Sequence, residues 1–121
     1  MPTHGFFVTV QTLHPFDQVG FAEPAGQLAD ALQSTLGDLS CLRKLTHYPT
    51  LCDARVEVEI AQAEPEHYKL SPIVARALVK ATTANDKMRF DKPAFSKMIR
   101  DRLPFAVKVQ KQAVAQEELA S

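Results

Sequence analysis

Residues 55–60 read Arg-Val-Glu-Val-Glu-Ile, which is the clearest strand pattern in the chain. Val56, Val58 and Ile60 alternate with charged residues. In a strand, this period of two places the apolar side chains on one side and the charged side chains on the other. The stretch therefore predicts a half-buried strand, with Glu57 and Glu59 on its outer side.

Three further stretches predict strands. His4–Thr12 alternates in the same way and places Phe6 and Phe7 on opposite sides. Residues 105–109 follow a proline and alternate as a last strand. Ser40–Thr46 is expected to pair with residues 55–60 through a turn at 48–50.

Helical spacing marks three other stretches. Leucines recur every three or four residues near 25–36, and Gly37 provides a C-terminal stop. Over 71–85, a serine followed by a proline opens a run with apolar residues at helical spacing. Over 92–102, an aspartate shortly before a proline gives the same start signal.

The predicted order is β-α-β-β-α-α-β. This order indicates an α+β domain in which a small antiparallel sheet carries its helices on one face. It corresponds to a ferredoxin-like split βαβ plan with one helix inserted before the final strand. We expect one domain over 1–111 and a polar C-terminal tail over 112–121, either helical or frayed.

Composition is that of an ordinary globular protein. The chain has 121 residues, of which 45% are hydrophobic and 23% charged, so we expect it to fold alone. No apolar run approaches a signal-peptide core or a bilayer span, which argues against secretion and membrane insertion. Cys41 and Cys52 are expected to be free thiols in a reducing compartment, and the expected location is the cytoplasm.

Charge is divided unevenly along the chain, although the formal net charge is zero. Residues 1–60 contain three basic and seven acidic side chains, whereas residues 69–111 contain eleven basic and three acidic ones. We therefore expect an electrically lopsided molecule with a partner-binding surface in its second half.

The candidate site is a basic patch on the predicted helices. Arg76 and Lys80 are four residues apart, and Lys97 and Arg100 are three apart, so each pair shares one side of a helix. Two such stripes, if adjacent, form a patch that attracts phosphate or an acidic protein. The competing interpretation is that these residues only solvate helix surfaces. The predicted patch comprises Arg76, Lys80, Lys87, Arg89, Lys92, Lys97 and Arg100.

The strand at 55–60 argues against nucleic acid on the sheet. Sheet-face RNA recognition uses aromatic residues on a central strand, whereas this strand presents Glu57 and Glu59. Carboxylates repel phosphate. We therefore expect nucleic acid to contact the helices or the turn at 87–92.

Catalytic and metal sites are not indicated. His47, Cys52 and Asp53 are close in sequence, but their spacing fits no nucleophilic signature. Cys41 with His47 and Cys52 lacks the close ligand pair of a zinc site. The glycines are dispersed, so no phosphate-binding loop is predicted. We expect neither a cofactor nor a metal.

Three functional hypotheses follow. The first is a non-enzymatic accessory module that contacts nucleic acid, or a protein–nucleic-acid complex, through its basic residues. The second is an adaptor or inhibitor that binds an acidic protein and uses sheet edges. The third is a small His-dependent hydrolase or nuclease. The sequence leaves open whether the protein forms oligomers.

Overall fold

A computed structural model describes residues 3–17, 20–47, 51, 53–62, 70–82 and 89–113. The elements follow one another as β1 (Thr3–Thr12), β2 (Phe16–Asp17), α1 (Ala22–Leu36), α2 (Leu39–Thr46), β3 (Asp53–Gln62), β4 (Leu70–Ser71), β5 (Ile73–Thr82), α3 (Lys92–Arg102) and β6 (Val107–Ala113).

The main sheet has four antiparallel strands in the order β3-β5-β1-β6. β5 lies between β1 and β3, so the connection from β1 through the helices to β3 is a split βαβ unit. The three helices pack against one face of this sheet. The predicted α+β class, the antiparallel sheet and the ferredoxin-like plan are confirmed. β2 and β4 form a separate two-stranded sheet.

The first helix confirms its prediction and begins three residues earlier, at Ala22. Gly37 ends it, and the Gly37 amide donates a hydrogen bond to the Gln33 carbonyl over 2.9 Å. A Cβ at position 37 would lie 2.6 Å from that carbonyl oxygen. Glycine is therefore required here because the Gln33 carbonyl lies so close. The backbone conformation does not require it, since φ at Gly37 is an ordinary −83°.

The strand predicted at Ser40–Thr46 is wrong, because these residues belong to α2. Asp38 caps this helix, and its Oδ1 accepts hydrogen bonds from the Ser40 and Cys41 amides over 2.8 and 3.3 Å. Leu42 and Leu45 are fully buried, three residues apart on the inner side. The Asp38 cap and the three-residue spacing of the buried leucines explain why this segment forms a helix.

The helix predicted over 71–85 is also wrong, because Ile73–Thr82 forms β5. Every second residue from Ile73 to Ala81 is buried, as in a strand with one covered side. Pro72 precedes the strand, and the Ile73 amide donates to the Thr12 hydroxyl over 2.9 Å. The inserted helix of the fold therefore stands before β3, not before the last strand.

The remaining elements agree with the sequence. The strands predicted around residues 4–12, 55–60 and 105–109 and the helix at 92–102 are β1, β3, β6 and α3. β6 continues to Ala113, two residues into the predicted tail. Residues 114–121 and the turn predicted at 48–50 lie outside the described residues.

The core lies between the sheet and the helices. β1 and β5 provide Phe6, Val8 and the alternating alanines of 75–81, and helices α1 and α3 cover them with leucines and with Phe95. Phe90 packs between Phe6 and Phe95 with its ring tilted against both, at centroid distances of 4.7 and 5.4 Å. Among the described helices, none is long and apolar enough to cross a membrane.

Candidate binding surface

The sheet has a second face that none of the described helices covers, and we call it the open face. The strand register defines it, because directly opposed residues of antiparallel strands point to the same side. The open face consists of Arg55, Glu57 and Glu59 on β3, Val74, Arg76, Leu78 and Lys80 on β5, Phe7, Thr9 and Gln11 on β1, and Lys108, Gln110 and Gln112 on β6.

Phe7 and Arg76 form a stacked pair at the centre of the open face. The Arg76 guanidinium carbon lies 3.4 Å from the centroid of the Phe7 ring. Phe7 is only 9% exposed, whereas Arg76 is exposed. A cation above an aromatic face is attracted by the ring quadrupole, so the ring holds the guanidinium in place.

The central strands of the sheet are β5 and β1, and β3 lies at the edge. The strand that carries Glu57 and Glu59 is therefore not one of the central strands, which sheet-face RNA recognition uses. The sequence did not show this, because 71–85 was predicted to be a helix, whereas Ile73–Thr82 forms the central strand β5. Glu59 lies opposite Arg76 in the register, but among the described residues no ion pair joins them, and Arg76 lies over Phe7 instead.

Strand pairing divides the predicted basic patch between two sides of the sheet. Arg76 and Lys80 lie on β5 and belong to the open face. Lys97 and Arg100 are exposed on α3, which packs against the opposite face. The two stripes therefore do not merge. Lys92, at the start of α3, is exposed and lines a cavity with Thr9, Gln110 and Gln112 of the open face. Arg89 is exposed just before α3, and Lys87 lies outside the described residues.

Helix α2 adds cations that the sequence analysis did not include in the patch. Ser40, Arg43, Lys44 and His47 line a surface cavity of about 360 Å³. Arg43 Nε donates to the Leu51 carbonyl over 2.9 Å. The spacing of three and four between these residues was the available signal, but the predicted strand placed neighbours such as Arg43 and Lys44 on opposite sides.

The histidines do not gather at one place within the described residues. His47 ends α2 with φ of 59°, and its Nε2 lies 3.3 Å from Asp91 Oδ2. Asp91 follows Phe90, whose ring contacts Phe6 near the start of β1. His14 lies beyond the other end of this ten-residue strand, so the two histidines are far apart. Cys41 is a half-buried free thiol, and Cys52 lies outside the described part. The described residues contain no group of three side chains suited to a metal.

Comparisons with known proteins identify the fold alone. No protein-family model matches the chain, and no curated protein matches it. Among solved structures, the chain is similar to one described as "a putative aminohydrolase from methicillin resistant Staphylococcus aureus", with a TM-score of 0.52 and 12% sequence identity. The match covers 92% of this chain and 29% of that one. At this identity the likeness supports the α+β architecture and transfers no activity.

Proposed function

We propose that this protein is a non-enzymatic binding module that holds single-stranded nucleic acid on the open face of its sheet. The observation that supports this most directly is the Arg76 guanidinium 3.4 Å above the Phe7 ring. Proteins bind single strands through exposed bases that stack on aromatic rings or on arginine planes. The proposal keeps the nucleic-acid hypothesis from the sequence and moves the contact from the helices to the sheet.

Arg76 is the residue on which a base would stack. Phe7 is almost buried beneath Arg76, so a base cannot reach the ring without displacing the guanidinium. Arg76 itself is exposed, so the side of the guanidinium away from the ring is the one open to a base. A base placed there would complete a ladder of ring, guanidinium and base, in which the cation contacts a π-system on both sides.

Charge along the open face favours a path over the central strands. Lys80 on β5 and Lys108 on β6 flank the stack and can neutralise phosphates. Gln110 and Gln112 on β6 supply amide donors and acceptors. Glu57 and Glu59 lie at the β3 edge. We therefore expect the single-stranded nucleic acid to cross β5, β1 and β6 and to avoid β3.

In its described part, the helical side of the molecule has no arginine held over an aromatic ring. α3 exposes Lys97, Arg100 and Arg102, but Phe95 on the same helix is fully buried. Phe90 packs against other rings in the core cluster. The cations of α3 therefore fit the role of solvating residues, which the sequence analysis weighed as the alternative.

The proposal is tested by titrating fluorescent oligouridine with the protein and following anisotropy over a range of salt concentrations. We expect binding that weakens linearly in log salt. Arg76→Ala should weaken it roughly 5- to 150-fold, since stacking of one base contributes about 1–3 kcal/mol. Arg76→Lys keeps the charge but loses the flat group, so most of the loss should remain.

Arg100→Ala is the matched control, because it removes an equally exposed arginine from α3 on the other side of the sheet. It should change affinity less than about threefold. The proposal fails if the wild type does not bind in low salt or if its affinity does not change with salt concentration. It also fails if Arg100→Ala weakens binding as much as Arg76→Ala does.

A further inference from the structure

We propose that a second copy of this chain pairs along β3, with the two β3 strands antiparallel about a twofold axis at Glu57. The inference goes beyond the proposed function and does not depend on it. The two four-stranded sheets would join into one continuous sheet. Because the axis is perpendicular to the sheet, both open faces would lie on the same side.

The outer edge of β3 carries charged side chains of both signs, which can pair with those of a second copy. β3 runs for ten residues without proline, glycine or lysine. Within the described ranges, β5 is its only strand partner. β6, at the opposite edge, is shorter and carries Lys108 and Lys111. Lysines, prolines and bulges are the usual protection of an edge, so β3 is the edge open to pairing.

The helix-facing side of β3 leaves apolar surface uncovered. Val56, Val58 and Ile60 point toward the helices, yet each is only half-buried, whereas the equivalent residues on β5 are buried. α1 is the described helix that packs on β3. A neighbouring strand would cover these side chains with matching ones, since antiparallel strands bring opposed apolar residues into contact.

Charges on β3 select one register of this pairing. With the axis at Glu57, Arg55 lies opposite the partner's Glu59. By symmetry, Glu59 lies opposite the partner's Arg55. On the other side of the strand, Val56 lies opposite the partner's Val58. The one like-charge contact is Glu57 with the partner's Glu57 at the axis. Among the described residues, neither Arg55 nor Glu59 has an ion-pair partner within the chain.

Other registers of the β3–β3 pair bring more like charges together. A shift by one residue would pair open-face residues with helix-facing ones and is excluded by the alternation of the strand. An axis at Val56 would place Arg55 opposite the partner's Glu57 twice, but it would also place Asp53 opposite the partner's Glu59 twice, so attraction and repulsion offset each other. An axis at Val58 would place Glu57 opposite the partner's Glu59 twice. Opposed like charges destabilise a strand pair, so the axis at Glu57 remains.

Charge reversal tests the pairing by sedimentation equilibrium. We expect a dimer of the wild-type chain. Arg55→Glu replaces the two attractive pairs with two repulsive ones, and like charges also meet with the axis at Val56 or Val58, so it should weaken dimerisation roughly ten- to thirtyfold. Adding Glu59→Arg restores opposite charges between the two β3 strands, and the dissociation constant of this double variant should return to within about threefold of the wild type.

Arg100→Glu, the same charge reversal on the exposed surface of α3, is the control and should leave dimerisation unchanged. Far-UV circular dichroism of each variant verifies the fold. The inference is wrong if the wild type is monomeric at the highest soluble concentration, if Arg55→Glu leaves association intact, or if the double variant dimerises as weakly as Arg55→Glu alone.

Discussion

Phe7 shows how one side chain changes role when the sheet is assembled. The alternation of β1 places it on the side opposite Phe6, as the sequence predicted. Alternation does not reveal that Arg76 covers the ring, because Arg76 belongs to a strand far along the chain. The candidate site at this position therefore could not be predicted from β1 alone.

Alanine substitutions at Gly37 and Gly26 are expected to change the stability of the protein in opposite directions, and together they test where α1 ends. Gly37→Ala should destabilise the protein by about 1–3 kcal/mol, because the new Cβ would lie 2.6 Å from the Gln33 carbonyl oxygen. Gly26→Ala should stabilise it by about 0.5–1 kcal/mol, because position 26 is exposed within the helix and has nothing within 4 Å. Urea denaturation measures both. Changes of the same sign would contradict the described end of α1.

At the level of elements, β5 and α2 show where the sequence misleads. Residues 73–81 contain apolar side chains at both helical and strand spacing, because alanine suits either. The Ser71-Pro72 pair then favours a helix. Pairing with both β1 and β3 decides for a strand, and that pairing is a long-range property. Such competition between local pattern and tertiary context explains both wrong elements.

α2 depends on its cap, since it has only eight residues. Asp38→Ala removes the acceptor for the Ser40 and Cys41 amides and should lower the free energy of unfolding by about 1 kcal/mol. Asp38→Asn keeps an acceptor and should change stability little. Asp30→Ala, an equal loss of charge on the exposed side of α1, is the control. Equal effects of the two alanine changes would contradict the cap.

For the whole molecule, the strand order explains why charge along the chain does not translate into one charged side. The acidic first half provides β1 and β3, and the basic second half provides β5 and β6. In the sheet these strands alternate between the two halves. Arg76 is exposed and Lys80 half-buried, and their neighbours are strands of the first half and not the helix that carries Lys97 and Arg100.

The central claim is that nucleic acid lies on the open face, and amide chemical shifts measured during titration with oligouridine test it most directly. We predict that the largest shifts occur on β1, β5 and β6, around Phe7, Arg76 and Lys108, with small shifts on α3. Shifts concentrated on α3 between Lys97 and Arg102, or no shifts in low salt, would contradict it.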